Sequence, residues 1–150
     1  MRKVVNVIKV TMVLAAMACI FYLSSQTATE SRVLSNRVAD QLTGYIETVT
    51  YLVPFIRKVD LTYPVVQIRK LAHFTIYLVL GLVSYLVLPR QWSVKKKMTL
   101  VVSLCFMYAI TDEFHQSFVP GRAPEVRDVL IDTLGSSVGM SIGYFMKRFK

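Results

Sequence analysis

Four apolar runs, each long enough to cross a bilayer, constrain what this chain can fold into more than any other feature. They cover about 4–24 (VVNVIKVTMVLAAMACIFYLS), 68–88 (IRKLAHFTIYLVLGLVSYLVL), 97–116 (KMTLVVSLCFMYAITDEFHQ) and 124–146 (PEVRDVLIDTLGSSVGMSIGYFM). A spanning helix needs about 20 predominantly apolar residues. The chain has 150 residues, 54% of them hydrophobic, and a mean hydropathy of +0.48. That is too apolar for a soluble globule with a wet surface. The expected architecture is a single all-α membrane domain over residues 1–150, with four transmembrane helices. The first run has basic residues before it, as a signal peptide does, but no A-x-A-type cleavage site follows. It reads as an uncleaved first helix. Pro89 ends the second run, and Pro124 suits the first turn of the fourth.

Residues 29–58 hold no continuous apolar run. Leu34, Val38, Leu42, Tyr45, Ile46, Val49, Leu52 and Ile56 recur at helical spacing with charges between them. That period predicts an amphipathic helical segment between spans one and two, lying at the interface or capping the bundle. Pro54 and Pro64 fall in the link from it to the second span.

The charges are distributed by side. The N-terminus, the loop between spans two and three, and the C-terminus share one side. They carry Arg2, Lys3, Lys9, Arg90, Lys95, Lys96, Lys97, Lys147, Arg148 and Lys150, with no acid among them. The other side holds the remaining eight of the 18 basic residues and all nine acids. The positive-inside rule therefore puts both termini in the cytoplasm and the 29–58 segment outside. Trp92 falls at the cytoplasmic boundary, and Lys95–Lys97 anchors that side. The net charge of +9 does not indicate nucleic acid, because the basic residues flank apolar spans instead of lining a soluble face. Cys19 and Cys105 lie inside apolar runs and read as small packing residues.

Against this background the stretch TDEFHQSFVPGRAPEVRDVLID, residues 111–132, stands out. Each ionisable group inside a membrane costs roughly 2.5–3.5 kcal/mol on insertion scales and marks function by default. Orientation gives the stretch partners. Lys70 and His73 lie at the outer end of the second span, Asp112, Glu113, His115 and Gln116 end the third, and Asp128 and Asp132 begin the fourth. Ser24, Ser25 and Gln26 end the first on the same side. At about 1.5 Å per residue, Asp112 and Asp128 fall roughly 6 Å inside, His73 roughly 7 Å, and Asp132 and Tyr77 near 12 Å. Lys70, His73 and Tyr77 share one helical face. Asp112, His115 and Gln116 share another. Asp128, Asp132, Gly135 and Gly139 form a stripe on the fourth span. Gly135, Gly139 and Gly143 have the small-xxx-small spacing that lets helices approach closely, inside one chain or between two.

RKLAHFTIYLVLG, followed by TDEFHQSFVPGRAPEVRDVLIDTLGSSVG, resembles the VanZ-like family of small bacterial membrane proteins. The SSQ after the first span fits the same pattern. By position, the family's motif residues fall on Lys70, His73, Phe74, Tyr77, Asp112, Glu113, Gln116, Pro120, Gly121, Arg122, Asp128, Asp132 and Gly135. The family is named for a member associated with teicoplanin resistance. The resemblance thus implies an envelope role in the bacterial plasma membrane.

Four readings of the polar cluster compete. As a structural clasp, Lys70, His73 and Arg122 pair with Asp112, Glu113, Asp128 and Asp132. As a binding pocket, Lys70, His73, Tyr77, Asp112, Glu113, Gln116, Arg122, Asp128 and Asp132 recognise a lipid-linked cell-wall precursor or a glycopeptide. Arg122, after the P-G turn, would meet a phosphate or carboxylate with its fork. As an enzyme, the candidate catalytic residues are His73, Asp112, Glu113 and Asp128, a histidine acting as general base. Two histidines with carboxylates are also metal-ligand types, but no H-E-x-x-H, nucleophile elbow or phosphatase signature is present. The sequence assigns no metal and no cofactor. Transport would need charges midway through several spans, where this chain is apolar.

Overall fold

The computed structural model of the chain describes residues 2–52 and 64–149. They are all-helical: α1 (Arg2–Ser24), α2 (Ala28–Leu52), α3 (Pro64–Val87), α4 (Val94–Gln116) and α5 (Val126–Arg148). The predicted link around Pro54, with Ile56, lies outside the described residues. So do the side chains of Leu42, Tyr45, Ile46, Val49 and Leu52 within α2.

Three helices are long and apolar enough to cross a membrane, over Val7–Ser24, Ile68–Val87 and Val126–Arg148. The remaining expected span, 97–116, is a helix of matching length. Its first turn carries Lys95, Lys96 and Lys97 and its last turns carry Asp112 and Glu113, so its apolarity is confined to the middle. Burial is inverted relative to a soluble bundle. Leu14, Phe21, Leu71, Leu100, Met107, Leu130, Leu134 and Val138 are exposed, whereas Asp112, Glu113, Gln116, Asp128, Asp132 and Ser136 are buried. An apolar exterior around polar groups is how helices pack when lipid is the solvent.

α3 is central and touches every other helix. Its closest partner is α5, and glycine is the reason. A Cβ added at Gly135 would land on the Phe74 carbonyl oxygen, one at Gly139 on that of Leu78, and one at Gly81 of α3 on that of Ser136. The notches are thus reciprocal. Gly143 meets the side chains of Tyr85 and Leu82. The stripe that the sequence offered equally to a second copy is occupied by α3 of the same chain.

Helix ends account for two differences from the sequence expectation. α5 begins at Val126, two residues after Pro124, because Glu125 is extended at φ −123° and ψ 122°. Its amide donates to Glu113 Oε2 at 2.8 Å, which holds the chain out of the helix for one more residue. α4 begins at Val94, before the expected Lys97, because the Ser93 side chain caps it by accepting from the Lys96 amide. α2 starts at a capping box: Thr27 N donates to Glu30 Oε2 at 2.9 Å, and Glu30 N donates to Thr27 Oγ1 at 3.3 Å. The Thr27 amide and hydroxyl, each donating to Glu30 Oε2 at 2.9 Å, hold the exposed Glu30 carboxyl below its ordinary pKa.

The end of the bundle where α1 and α4 finish and α5 starts is the mouth. The opposite end is basic. There Lys147 Nζ donates to the carbonyls of Tyr85 at 3.1 Å and Leu88 at 2.9 Å, closing the C-terminus of α3. Lys97 is buried with its ammonium 5.4 Å from the Tyr85 ring centre, and Lys96 covers Trp92.

Candidate functional site

Each helix brings its polar residues to the mouth for a local reason. Arg69, His73 and Tyr77 follow each other at i, i+4 on α3, with Lys70 beside them. The buried face of α4 runs Lys97, Val101, Cys105, Ala109, Asp112, Glu113, Gln116, so its carboxylates finish a stripe that is otherwise core. Asp128 and Asp132 start the α5 stripe that continues as Gly135 and Gly139. Between α4 and α5 the chain turns at Gly121, whose φ of 76° favours glycine. A Cβ there would also sit 3.0 Å from Ala28 Cβ. The turn is fastened to α2 by the Ala28 amide, which donates to the Pro120 carbonyl at 3.3 Å.

Gln116 is the hub. Its Nε2 donates to Asp112 Oδ2 at 3.2 Å and to Ser24 Oγ at 3.4 Å, while Ser24 Oγ donates to the same Asp112 oxygen at 2.9 Å. Its Oε1 accepts from Arg69 Nη2 at 2.8 Å and from Arg122 Nη1 at 3.2 Å. Guanidinium groups only donate, so this arrangement also fixes which way the amide points. Arg122 Nε donates to the Gln26 carbonyl at 3.1 Å. Burial, and Arg69 beside it, pull the Arg122 guanidinium below its ordinary pKa. Among the described residues neither arginine has an ion pair. Lys70 does, 2.8 Å from Asp128 Oδ1 and 3.1 Å from Glu125 Oε2, while the His73 imidazole has its Nδ1 3.5 Å from Asp132 Oδ2.

Two cavities adjoin the arginines. One of about 120 Å³ is walled by Ile20, Leu23, Leu34, Ile68 and Ile76, with Arg69, His73 and Arg122 as its charged lining. The other, of about 170 Å³, lies between Arg32, Arg69, Lys70, Glu125 and Asp128. Ser31 and Ser35 of α2 line both, so the first turns of α2 roof the mouth. Of the two positions expected for the amphipathic segment, at the interface or capping the bundle, these turns take the second.

The deeper polar atoms are left without partners. Among the described residues, His73 Nδ1, the Tyr77 hydroxyl, Asp112 Oδ1, Glu113 Oε1 and both Asp132 oxygens are buried and make no hydrogen bond. In folded proteins most buried polar atoms are satisfied.

A family model described as VanZ/LLP1 matches residues 9–147. The chain belongs to this family. No curated protein and no solved structure matches it.

Of the residues that the VanZ motifs marked, Lys70, His73, Tyr77, Asp112, Gln116, Arg122, Asp128 and Asp132 gather at the mouth. Glu113 turns toward the 121–125 loop and holds the Glu125 amide. The clasp pairing divides differently from the sequence expectation. Lys70 reaches only Glu125, just before α5, and Asp128 in its first turn, while Asp132, one turn deeper, faces His73. Arg122 is braced by a backbone carbonyl and an amide, with no carboxylate partner. His115 leaves the cluster and stacks on Phe21 of α1, ring centres 4.2 Å apart, so the two histidines do not form one centre. Two participants were missed in the sequence. Arg69 is one turn before His73, a spacing that signals a shared face. Gly81 lay inside an apolar run with nothing beside it to mark a helix contact.

Proposed function

We propose that this VanZ-family chain is a multi-pass protein of the bacterial plasma membrane, with α1, α3, α4 and α5 spanning and both termini cytoplasmic. The outer mouth binds an anionic, amphiphilic envelope molecule, a lipid-linked cell-wall precursor or a glycopeptide. Binding of either kind would lower the effect of teicoplanin on the cell, the link that the family's name suggests.

One observation carries this reading. Arg69 and Arg122 converge on a single neutral acceptor, Gln116 Oε1, with no carboxylate on either among the described residues. Two half-buried cations around a neutral oxygen repel each other and gain by a shared anion. The adjoining cavity is charged on one side and apolar on the other, which suits a phosphate or carboxylate head with an acyl or prenyl tail. The α2 roof supplies serine hydroxyls at the boundary.

The test titrates purified protein in nanodiscs with a lipid-linked precursor and, separately, with teicoplanin. Arg69→Ala and Arg122→Ala are each expected to weaken binding of the recognised ligand by about tenfold or more, since a charge-assisted bidentate contact is worth at least ~1.4 kcal/mol. Unchanged affinity of both variants for both ligands sinks the reading. A second reading, a membrane-embedded enzyme, draws on His73 beside Asp132 as an acid–base pair. It requires covalent change in a labelled precursor, which binding alone does not produce.

A further inference from the structure

Three of the side chains with orphaned buried atoms stand together. His73, Asp112 and Asp132 each offer one ligand atom, and these three atoms lie within 4.8 Å of one another. Asp132 is 0% exposed and Asp112 3%. Both oxygens of Asp132 and Oδ1 of Asp112 are without a hydrogen-bond partner among the described residues. Among the described residues the group that faces Asp132 is the His73 ring, and Lys70 is committed to Asp128 and Glu125. Two carboxylates buried side by side with no donor between them form an arrangement that a chain avoids unless something else neutralises it.

We infer that His73, Asp112 and Asp132 form a binding site for one divalent transition-metal ion of the Zn²⁺ or Mn²⁺ class. The charge balances: two carboxylates, a neutral imidazole and a dication sum to zero. The donor set of one ring nitrogen and two carboxylate oxygens is of the kind such ions take. Zinc ligands at about 2.0–2.2 Å in a tetrahedron are about 3.3–3.6 Å apart. His73 Nδ1 and Asp132 Oδ2 are already at 3.5 Å, and the three atoms lie within 4.8 Å, so closure asks for about 1.2–1.5 Å from Asp112 at most.

The surroundings also suit an ion. Ser24 Oγ and Gln116 Nε2 both donate to Oδ2 of Asp112, which fixes the carboxylate and leaves Oδ1 as its free ligand oxygen. Hydrogen-bonded support of this kind orients ligands in metal sites. Tyr77 is fully buried, and its hydroxyl is also unpartnered among the described residues. His73 also lines the 120 Å³ cavity, so one of the three ligands borders open space. The inference does not depend on the envelope ligand, because the three side chains need a counter-charge whether or not a ligand sits above them.

Full-length protein in detergent, stripped with chelator and desalted, is titrated with Zn²⁺ and with Mn²⁺. Bound metal is measured by mass spectrometry and the thermal midpoint with and without the ion. About one ion per chain is expected, with a higher midpoint in its presence. Asp132→Asn and His73→Gln should each weaken binding by 100-fold or more, Gln116→Ala by about 10- to 100-fold as an orienting group, and His115→Ala not at all. Wild-type protein that retains no stoichiometric metal and shows no midpoint shift overturns the site. Binding that survives both Asp132→Asn and His73→Gln overturns it equally. If a variant fails to fold, Co²⁺ on the wild-type protein decides: a visible spectrum of nitrogen and oxygen ligation, displaced by Zn²⁺, supports the site, and its absence overturns it. Precursor binding is read in a separate titration, so failure of one proposal is not failure of the other.

Discussion

At the basic end of the bundle each buried cation is answered. Lys147 lies on two helix-end carbonyls, and Lys97 faces an aromatic ring. At the mouth, where His73 stands 12 residues before Tyr85 on α3, carboxylates and donors are not matched one to one. Lys70 satisfies Asp128 and Glu125 at the start of α5, but Asp132 and half of Asp112 are left over. Both ends bury charge among the same helices, so lipid exposure alone does not explain the difference. Charge buried for structure comes with its partners. Charge buried for a ligand waits for one, and stability is reduced in its absence.

The seam that keeps the two ends in register is the strongest place to break both. At Gly139 a side chain meets the Leu78 backbone, which cannot move without displacing α3. Gly139→Leu is expected to cost about 3 kcal/mol or more, as overpacking without relief does, read as loss of folded protein on thermal or detergent unfolding. A mild effect would mean that α3 and α5 slide freely, and the comparison of their ends would lose its common frame.

Opposite signs are expected when each end is altered alone. Lys147→Ala removes two charged hydrogen bonds to the end of α3, and should destabilise by about 1–2 kcal/mol. Asp132→Asn, in metal-free protein, removes an unpaired buried charge and puts an amide donor within reach of Asp112. It should raise stability by about 1 kcal/mol. If Asp132→Asn destabilises as Lys147→Ala does, the mouth is a clasp like the basic end.

How far the sequence foretold this contrast depends on which residues are asked. Lys70, His73, Asp112 and Asp132 were legible because helical period, membrane depth and a shared motif all pointed to one place. The α3–α5 contact was half legible: Gly135 and Gly139 advertise a close approach, but Gly81 in a run of leucines and valines does not. The convergence of Arg69 and Arg122 on Gln116 was not legible, since it depends on rotamers and on the path of the 117–125 loop. The start of α5 was misplaced because Pro124 favours a helix start, and the bond that delays it comes from Glu113 on another element. Local signals set helices and faces; which partner a polar group finds is decided only when the elements meet.

The smallest effect is at the rim, and it separates clasp from pocket most finely. Lys70 touches two acids of different burial: the Asp128 side chain is 10% exposed and that of Glu125 53%. A double-mutant cycle of Lys70→Ala with Asp128→Asn should give a coupling near 1 kcal/mol, because the pair is mostly screened from water. The cycle of Lys70→Ala with Glu125→Gln should give about 0.3 kcal/mol, the value of an exposed pair. Equal couplings would show that solvent reaches Asp128 as freely as Glu125. The mouth would then be open to water down to the second turn of α5, and Asp132 would be hydrated enough to need no ion.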